Sequence, residues 1–289
     1  ACALCVEQGL QVEIPPRAKV IRVLMDELTR IASHELWLGA MAMDLGAFTP
    51  FFHAFRERES INDIMEETCG ARLTMNYMVP GGVMHDLHPN FQKRVKDFMQ
   101  LYKSKVHEYD EMLTGNIIFQ NRMKNVGMLS AEDALSYGCT GPTARGSGVS
   151  CDMRKLYPYE IYNTLEFDEV LETGSDSFAR YMVRVREMQQ SIRIIEQLID
   201  TIPEGDFQTK TKAVLNLPKG EFYSRVETAR GELGVYIVSE GATTPYRIKF
   251  RSPGFSNLSV LNHIAKGSKL GDLVAMMGTL DLVIPDIDR

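Results

Sequence analysis

A mainly α-helical chain of the α+β class, with one small antiparallel sheet near its C-terminus, is predicted by three features of these 289 residues. Apolar residues recur at three- and four-residue steps through most of the chain. They switch to a period of two only between Phe222 and Phe250. Residues that open and close helices bracket the longer periodic runs. Residues 1–289 read as one domain, with the sheet at 222–253.

Pro15 and Pro16 suit the first turn of a helix, and Ile21, Leu24, Met25, Leu28, Ile31 and Ala32 then trace one apolar face. Arg22, Asp26 and Arg30 follow at four-residue steps, which a solvated, charge-paired face explains as well as a functional stripe does. Thr49 as cap and Pro50 as first helical residue open a second helix. Its apolar positions Phe52, Phe55, Ile61, Ile64, Met65 and Thr68 run to Gly70, and the two helices form a hairpin pair. Phe91 to Leu113 predicts another helix, and Ala131 to Tyr137 a short one capped by Ser130. The clearest helix carries Phe178, Tyr181, Met182, Val185, Met188, Ile192, Ile195, Leu198, Ile199 and Ile202, stopped by Pro203 and Gly205. Glycine-rich loops at residues 80–82 and 145–148 mark sharp turns or close approaches. Leu233, Val235 and Ile237 alternate in one strand and Tyr246, Ile248 and Phe250 in the next, with Glu240, Gly241 and Pro245 between. Short helices around Leu258 to Ala265 and Leu270 to Leu280 precede the tail Asp286-Ile287-Asp288-Arg289.

Composition excludes several functions. A net charge of -6 gives no basic face for displacing counterions from nucleic acid. No apolar run approaches the roughly 20 residues that span a bilayer; the longest, Leu36 to Leu45, is broken by Asp44. Five scattered cysteines make no secreted-type disulfide framework and point to a reducing compartment. Ala1 and the residues after it lack a signal-peptide layout, so the chain reads as starting within a longer protein. No GxGxxG after a strand, GxxxxGK[ST] loop or GxSxG elbow offers a seat for NAD, FAD or ATP.

Asp44 stands out, because an ionised carboxylate in the apolar stretch Leu36 to Phe48 costs several kcal/mol unless paired. It also lies near a helix C-terminus, where the dipole disfavours negative charge. Its bland explanation is a turn carboxylate accepting backbone N–H groups before Pro50. Glu27, Arg30 and His34 share a stripe, on which the histidine reads as a hydrogen-bonded structural residue. His85 and His88 flank Asp86 without a second pair of ligands nearby, and Cys2-x-x-Cys5 has no redox context, so neither makes a metal site. Cys139 and Cys151 read as small buried thiols. Asp281, Asp286, Asp288 and Arg289 form a charged tail that either frays or acts.

The strings Leu45-Gly46-Ala47-Phe48-Thr49-Pro50-Phe51-Phe52, Cys69-Gly70-Ala71-Arg72, Val79-Pro80-Gly81-Gly82-Val83, Arg145-Gly146-Ser147-Gly148 and Gly231-Glu232-Leu233-Gly234-Val235-Tyr236 together resemble the 49 kDa subunit of respiratory complex I, called the D subunit in bacteria. The resemblance runs from end to end. It implies the helical core of the nickel–iron hydrogenase large subunit, without nickel, since Asp286-Ile287-Asp288-Arg289 replaces the terminal CxxC and Cys2 and Cys5 sit on a helix away from the hydrogenase pair.

As function, the resemblance implies the quinone-site subunit of a proton-translocating NADH:quinone oxidoreductase, with no cofactor of its own. Quinone is the substrate, and the iron–sulfur cluster is held by a neighbouring subunit. The implied partners are the other complex I subunits: the iron–sulfur (B) subunit, the 30 kDa (C) subunit, the membrane (H) subunit and the ferredoxin-like (I) subunit. The implied location is peripheral, on the cytoplasmic face of a bacterial membrane or the matrix face of the mitochondrial inner membrane. The family's headgroup-binding His and Tyr fall in a stretch preceding Ala1, and Asp44 matches the aspartate that pairs with that His. Asp281, Val283 and Arg289 match C-terminal residues near the quinone chamber and cluster, with Arg289 as a fixed positive charge. Met41, Phe48 and the loop before Gly81 are assigned to the pocket by their place in the pattern. A non-redox assembly scaffold and a hydrogenase-like relative are the alternative readings.

Overall fold

Helices long enough to be buried on several sides at once set the architecture of this chain. In a computed structural model, which describes residues 1–212 and 214–288, the chain opens with α1 (Cys2–Leu10) and the 29-residue α2 (Pro16–Asp44). Next, α3 (Phe48–Cys69) turns back along α2, and a two-stranded ribbon of β1 (Met78–Val79) and β2 (Gly82–Val83) leads to α4 (Phe91–Tyr109). A π-helical turn at Asp110–Thr114 joins α4 to α5 (Ile117–Met123). Short helices α6 (Ala131–Ser136), α7 (Pro142–Arg145) and α8 (Met153–Leu156) carry the chain to α9 (Ser177–Leu198). An antiparallel sheet of β3 (Gly220–Thr228), β4 (Gly231–Ser239) and β5 (Arg247–Arg251), in that spatial order, precedes α10 (Pro253–Ser259), α11 (Leu261–Ile264), α12 (Leu270–Leu280) and α13 (Ile284–Ile287). The mainly helical fold with a small antiparallel sheet near the C-terminus is thus the one expected, and the β1–β2 ribbon is additional to it.

Pro16 begins α2 without losing a needed hydrogen bond, since the first N–H groups of a helix have no intrahelical partner. Its residues Ile21, Leu24, Leu28, Ile31, Leu38 and Ala42 are fully buried, because α3, α9 and α12 all pack against it. Each of the Ile and Leu side chains contributes about 1.5–3 kcal/mol on removal from water. Gly39 lets α3 approach closely, as a Cβ there would lie 3.3 Å from the Phe51 backbone.

Several expected boundaries shift for local reasons. α3 starts at Phe48 with Ala47 in the cap position, so Thr49 falls inside the first turn and caps nothing, while Gly70 closes the helix in the left-handed region as expected. The periodicity read as one helix to Leu113 contains the π turn after Tyr109. α9 ends at Leu198, and α10 and α11 divide the segment read as one helix. Ser130 caps α6 by accepting from the Asp133 N–H, as expected. Of the two readings left open for Arg22 and Arg30, the solvated face is excluded, since each is 2% exposed. Arg22 is instead bound by Glu7, Glu160 and the carbonyls of Val79 and Gly82, which pins the 80–82 loop to α2.

The sheet is held to the helical body at the β3–β4 turn. Gly141 and Gly231 face each other backbone to backbone: a Cβ on Gly141 would lie 2.4 Å from Gly231 Cα, and one on Gly231 would lie 2.8 Å from Gly141 N. Both have positive φ, of 66° and 128°. This contact fixes the position of Arg230. Gly231→Ala should therefore lower stability by about 1–3 kcal/mol through overpacking, read as a fall in the denaturant midpoint with an unchanged m-value.

Candidate functional site

An open cleft of about 450 Å³ lies between the C-terminal half of α2, α12, the segment after it and Arg230. Leu36, Trp37, Ala40, Met41 and Asp44 present one wall at helical spacing, and Val274, Met277 and Gly278 the other, with Asp281, Leu282 and Val283 closing the end. Its lining is mainly apolar with a few polar groups at one end, the composition typical of sites for small organic ligands.

The polar end is built by the termination of α12. Asp281 takes a left-handed conformation (φ 54°) as the helix stops, which turns its carboxylate back towards Arg230, with Nη2 of the arginine 3.3 Å from Oδ1. Arg230 also donates to Ser33 on α2. Asp281 Oδ2 and Arg230 Nε lie 3.3 Å apart but are misaligned for a hydrogen bond, so each keeps unused hydrogen-bonding capacity. Beyond it, Asp286 accepts from the Gly254 N–H and ties α13 to α10, so the tail is held as far as its last described residues rather than frayed.

Trp37 separates the cleft from a buried cation. Its indole N–H donates to the Gly278 carbonyl at 2.6 Å, fixing the ring, and the Arg184 guanidinium stacks 4.6 Å from the ring centroid. Arg180 and Arg184 are wholly buried and have no carboxylate within ion-pair distance among the described residues. Burial pulls both down to about 10, which leaves them charged at neutral pH.

Deeper still, a stripe on α2 meets a stripe on α9. Glu187 receives Arg145 at 2.9 Å, Arg154 at 3.0 Å and His34 Nε2 at 3.1 Å. Glu27 receives Arg154 at 3.1 Å, the Tyr162 hydroxyl at 2.7 Å and the Ser191 hydroxyl at 2.6 Å, with Arg30 3.2 Å away. Arg145 reaches on to Glu227 at 2.7 Å, and Arg154 to Asp152 at 2.7 Å. Burial raises the Glu187 carboxyl, but the charge of Arg145 and the His34 contact outweigh it and hold the group well below its ordinary value. Burial depresses His34, which is therefore the neutral donor in its bond to Glu187. Glu227 goes the other way: burial pushes it up to about 7 despite Arg145.

Of the residues singled out in sequence, Met41, Asp44, Asp281 and Val283 line this one cleft. Phe48 does not: it begins α3 with 62% of its surface exposed, outside the lining. The loop before Gly81 is likewise absent from the lining. Arg289 lies outside the described residues. Asp44 is not buried as its apolar neighbourhood in sequence suggests. Its side chain is exposed at the cleft rim, so no desolvation penalty applies, and the N–H groups of Leu45, Gly46 and Ala47 bond to main-chain carbonyls rather than to its carboxylate. Sequence reasoning missed Arg180, Arg184, Glu187 and Ser191. Their signal was a polar stripe at four-, three- and four-residue steps inside an otherwise buried helix.

Comparison with known proteins gives a consistent result. A family model described as the respiratory-chain NADH dehydrogenase 49 Kd subunit matches residues 44–216 and 207–289. The chain is 53% identical over 289 residues to the C/D subunit of the NADH-quinone oxidoreductase of Bacteroides thetaiotaomicron, covering all of this chain and 54% of that protein. It is 46% identical over 286 residues to the D 2 subunit of the enzyme of Solibacter usitatus, covering 99% of this chain and 77% of the relative. With the D subunit of Desulforamulus reducens the identity is 45% over 283 residues, covering 98% and 77%. The chain thus spans about half the length of the Bacteroides relative.

Removing one member of the inner lattice should be severe. Glu187→Gln leaves Arg145 and Arg154 without their shared anion and is expected to cost about 3–5 kcal/mol, measured by chemical denaturation. Because the folded pKa of Glu227 lies above the ordinary carboxylate value, its contribution to stability is complete below that value and is lost as pH rises through about 7. Glu227→Gln should flatten that part of the stability–pH curve.

Proposed function

This chain belongs to the respiratory-chain NADH dehydrogenase 49 Kd subunit family, and we propose that its cleft is one wall of the quinone site of an NADH:quinone oxidoreductase. The observation that carries the reading is the convergence of Met41, Asp44, Asp281 and Val283, assigned to that site from the sequence, on a single cleft. The names of the relatives, as subunits of NADH-quinone oxidoreductase, support it.

In this reading, electrons reach quinone from an iron–sulfur cluster held by a neighbouring subunit, and two electrons with two protons convert quinone to quinol. The residues of this chain bind and orient. Met41, Val274, Met277, Leu282 and Val283 offer apolar contact to a flat ring, while Arg230 presents N–H donors where a carbonyl oxygen gaining negative charge would benefit. Arg184 behind Trp37 adds fixed positive charge in a region of low dielectric constant. Asp44, solvated at the rim, is placed to meet a cationic or protonated group from outside this chain. No helix among the described residues is long and apolar enough to cross a membrane, so attachment to the membrane is proposed to run through partners: the iron–sulfur, 30 kDa and ferredoxin-like subunits and the membrane subunit. Coupling to proton translocation belongs to the membrane partners.

Filling the cleft tests the reading. In the assembled complex, Val283→Trp should lower quinone reduction by roughly tenfold or more, equivalent to about 1.4 kcal/mol, while electron transfer from NADH to an artificial acceptor ahead of quinone is unchanged. Normal quinone kinetics in that variant would remove the cleft from the quinone path. Asp44→Asn should slow quinone reduction in the same assay, and a variant with unaltered reduction and proton pumping would deny Asp44 a part.

A further inference from the structure

Away from the cleft, on the side of α2 that faces α3 and α4, two carboxyl groups share one hydroxyl. Glu35 of α2 and Glu57 of α3 have no exposed surface, and Tyr109 of α4 stands between them. The Tyr109 oxygen is 3.0 Å from Glu35 Oε2 and 3.2 Å from Glu57 Oε2. Tyr102, also on α4, donates its hydroxyl to the second oxygen of Glu35. A phenol has a single proton to give. With both carboxyls ionised, Tyr109 could satisfy only one, and its lone pairs would face the other anion inside the protein, a costly buried repulsion.

The surroundings decide which carboxyl carries the extra proton. Glu57 has a cation, because Arg56 Nε and Nη2 reach its Oε1 at 2.9 and 2.5 Å. Glu35 has none. Its facing groups are Tyr102 and Tyr109 on α4 and Glu57 on α3, and the uncharged Met188 thioether of α9 lies 3.0 Å from the Tyr102 hydroxyl. The neighbouring His34 is turned away to Glu187. Burial without a cation pushes Glu35 up to about 8, against the opposing effect of the two tyrosine hydrogen bonds.

We propose that Glu35, Tyr109 and Glu57 form a proton-holding site, in which one proton rests on Glu35 Oε2 at neutral pH and can pass through Tyr109 to Glu57. A single assignment then satisfies every group: Tyr102 donates to Glu35 Oε1, the Glu35 acid donates to Tyr109, Tyr109 donates to Glu57 Oε2, and Arg56 donates to Glu57 Oε1. In the transfer, the Glu35 O–H and Tyr109 O–H bonds break as a new Tyr109 O–H and a Glu57 O–H form. One negative charge moves from Glu57 to Glu35, and the total is unchanged. The outer end opens to the surface, where half-exposed Arg56 also meets Glu108, itself paired with Lys105 and with His53 Nδ1 at 3.0 Å. The site has an inner terminus on α2 and an outer one at the α3–α4 surface, and its existence is independent of what the cleft binds.

Infrared difference spectroscopy on the full chain tests this without any assay of quinone chemistry. At neutral pH, wild type should show the carbonyl band of a buried protonated carboxyl that shifts in deuterated water, and Glu35→Gln should lack it. The band should fade as pH rises through about 8. Absence of the band at neutral pH, or its persistence in Glu35→Gln, overturns the assignment. Glutamine reproduces the neutral acid, accepting from Tyr102 and donating to Tyr109, without having to take up a proton on folding, so the variant should be at least as stable as wild type at neutral pH. A folded pKa above the ordinary carboxylate value means that wild type loses stability as pH rises through about 8; the glutamine variant should lose less. An equal loss in both counts against the site. In Tyr109→Phe the band should remain while its deuteration slows at least tenfold, and unchanged deuteration would remove Tyr109 from the path.

Discussion

The lattice of ions between α2 and α9 is the constraint on which the rest of the molecule depends. Glu27, Glu187, Glu227 and Asp152 are interleaved with Arg30, Arg145 and Arg154, all almost completely buried. Burying so many charges contributes little net stability, because desolvation nearly cancels attraction. Its effect is on register. A slip of either helix would leave several charges unpaired at once, so α2 and α9 have one admissible alignment. That alignment in turn fixes where Trp37 and Met41 stand, and the cleft is their consequence. The lattice also recruits distant sequence: residues 145–154 and the end of β3 are tied into the helical body where Arg145 and Arg154 reach Glu187 and Glu27 and where Glu227 receives Arg145 and the Met153 N–H.

Charge grades from this interior towards the cleft. Each inner group has an oppositely charged partner, Arg180 and Arg184 have none at ion-pair distance among the described residues, and Arg230 with Asp281 forms a looser, misaligned pair at the cleft itself. The cleft therefore backs onto positive charge without a directly paired carboxylate among the described residues, in a medium of low dielectric constant where it acts over longer distances than at a surface. Asp44 and Asp281 supply negative charge at the rim and the end wall. A ligand that gains electrons in such a place is favoured by the field without any group having to move.

Much of the helical fold was legible in sequence because helices announce themselves by period, and Pro16, Ser130 and Gly70 fixed three ends correctly. Thr49 misled because a capping residue type placed slightly too late is indistinguishable by composition from one in place. The π turn after Tyr109 left no trace, since inserting a residue into a helix disturbs apolar spacing less than the scatter of that spacing. The cleft was legible only through resemblance: nothing in the spacing of Met41, Asp44, Asp281 and Val283 brings residues about 240 apart together. The inner lattice was half legible. Glu27, Arg30 and His34 formed a recognisable stripe, but one of the two readings open for Arg22 and Arg30, a solvated face, assumed water where two further helices and a loop pack. Asp44 failed in the opposite direction, since an apolar neighbourhood in sequence did not become a buried one in space.

The single tryptophan of the chain is Trp37, clamped by Gly278, faced by the cleft and backed by a guanidinium. Its emission therefore comes from one known place. A cation held against an indole shifts the excited-state dipole energy, and an aromatic or redox-active ligand entering the other side would quench the ring by contact. The molecule thus carries its own optical gauge of cleft occupancy, readable without a label and separable from the tyrosines by excitation wavelength.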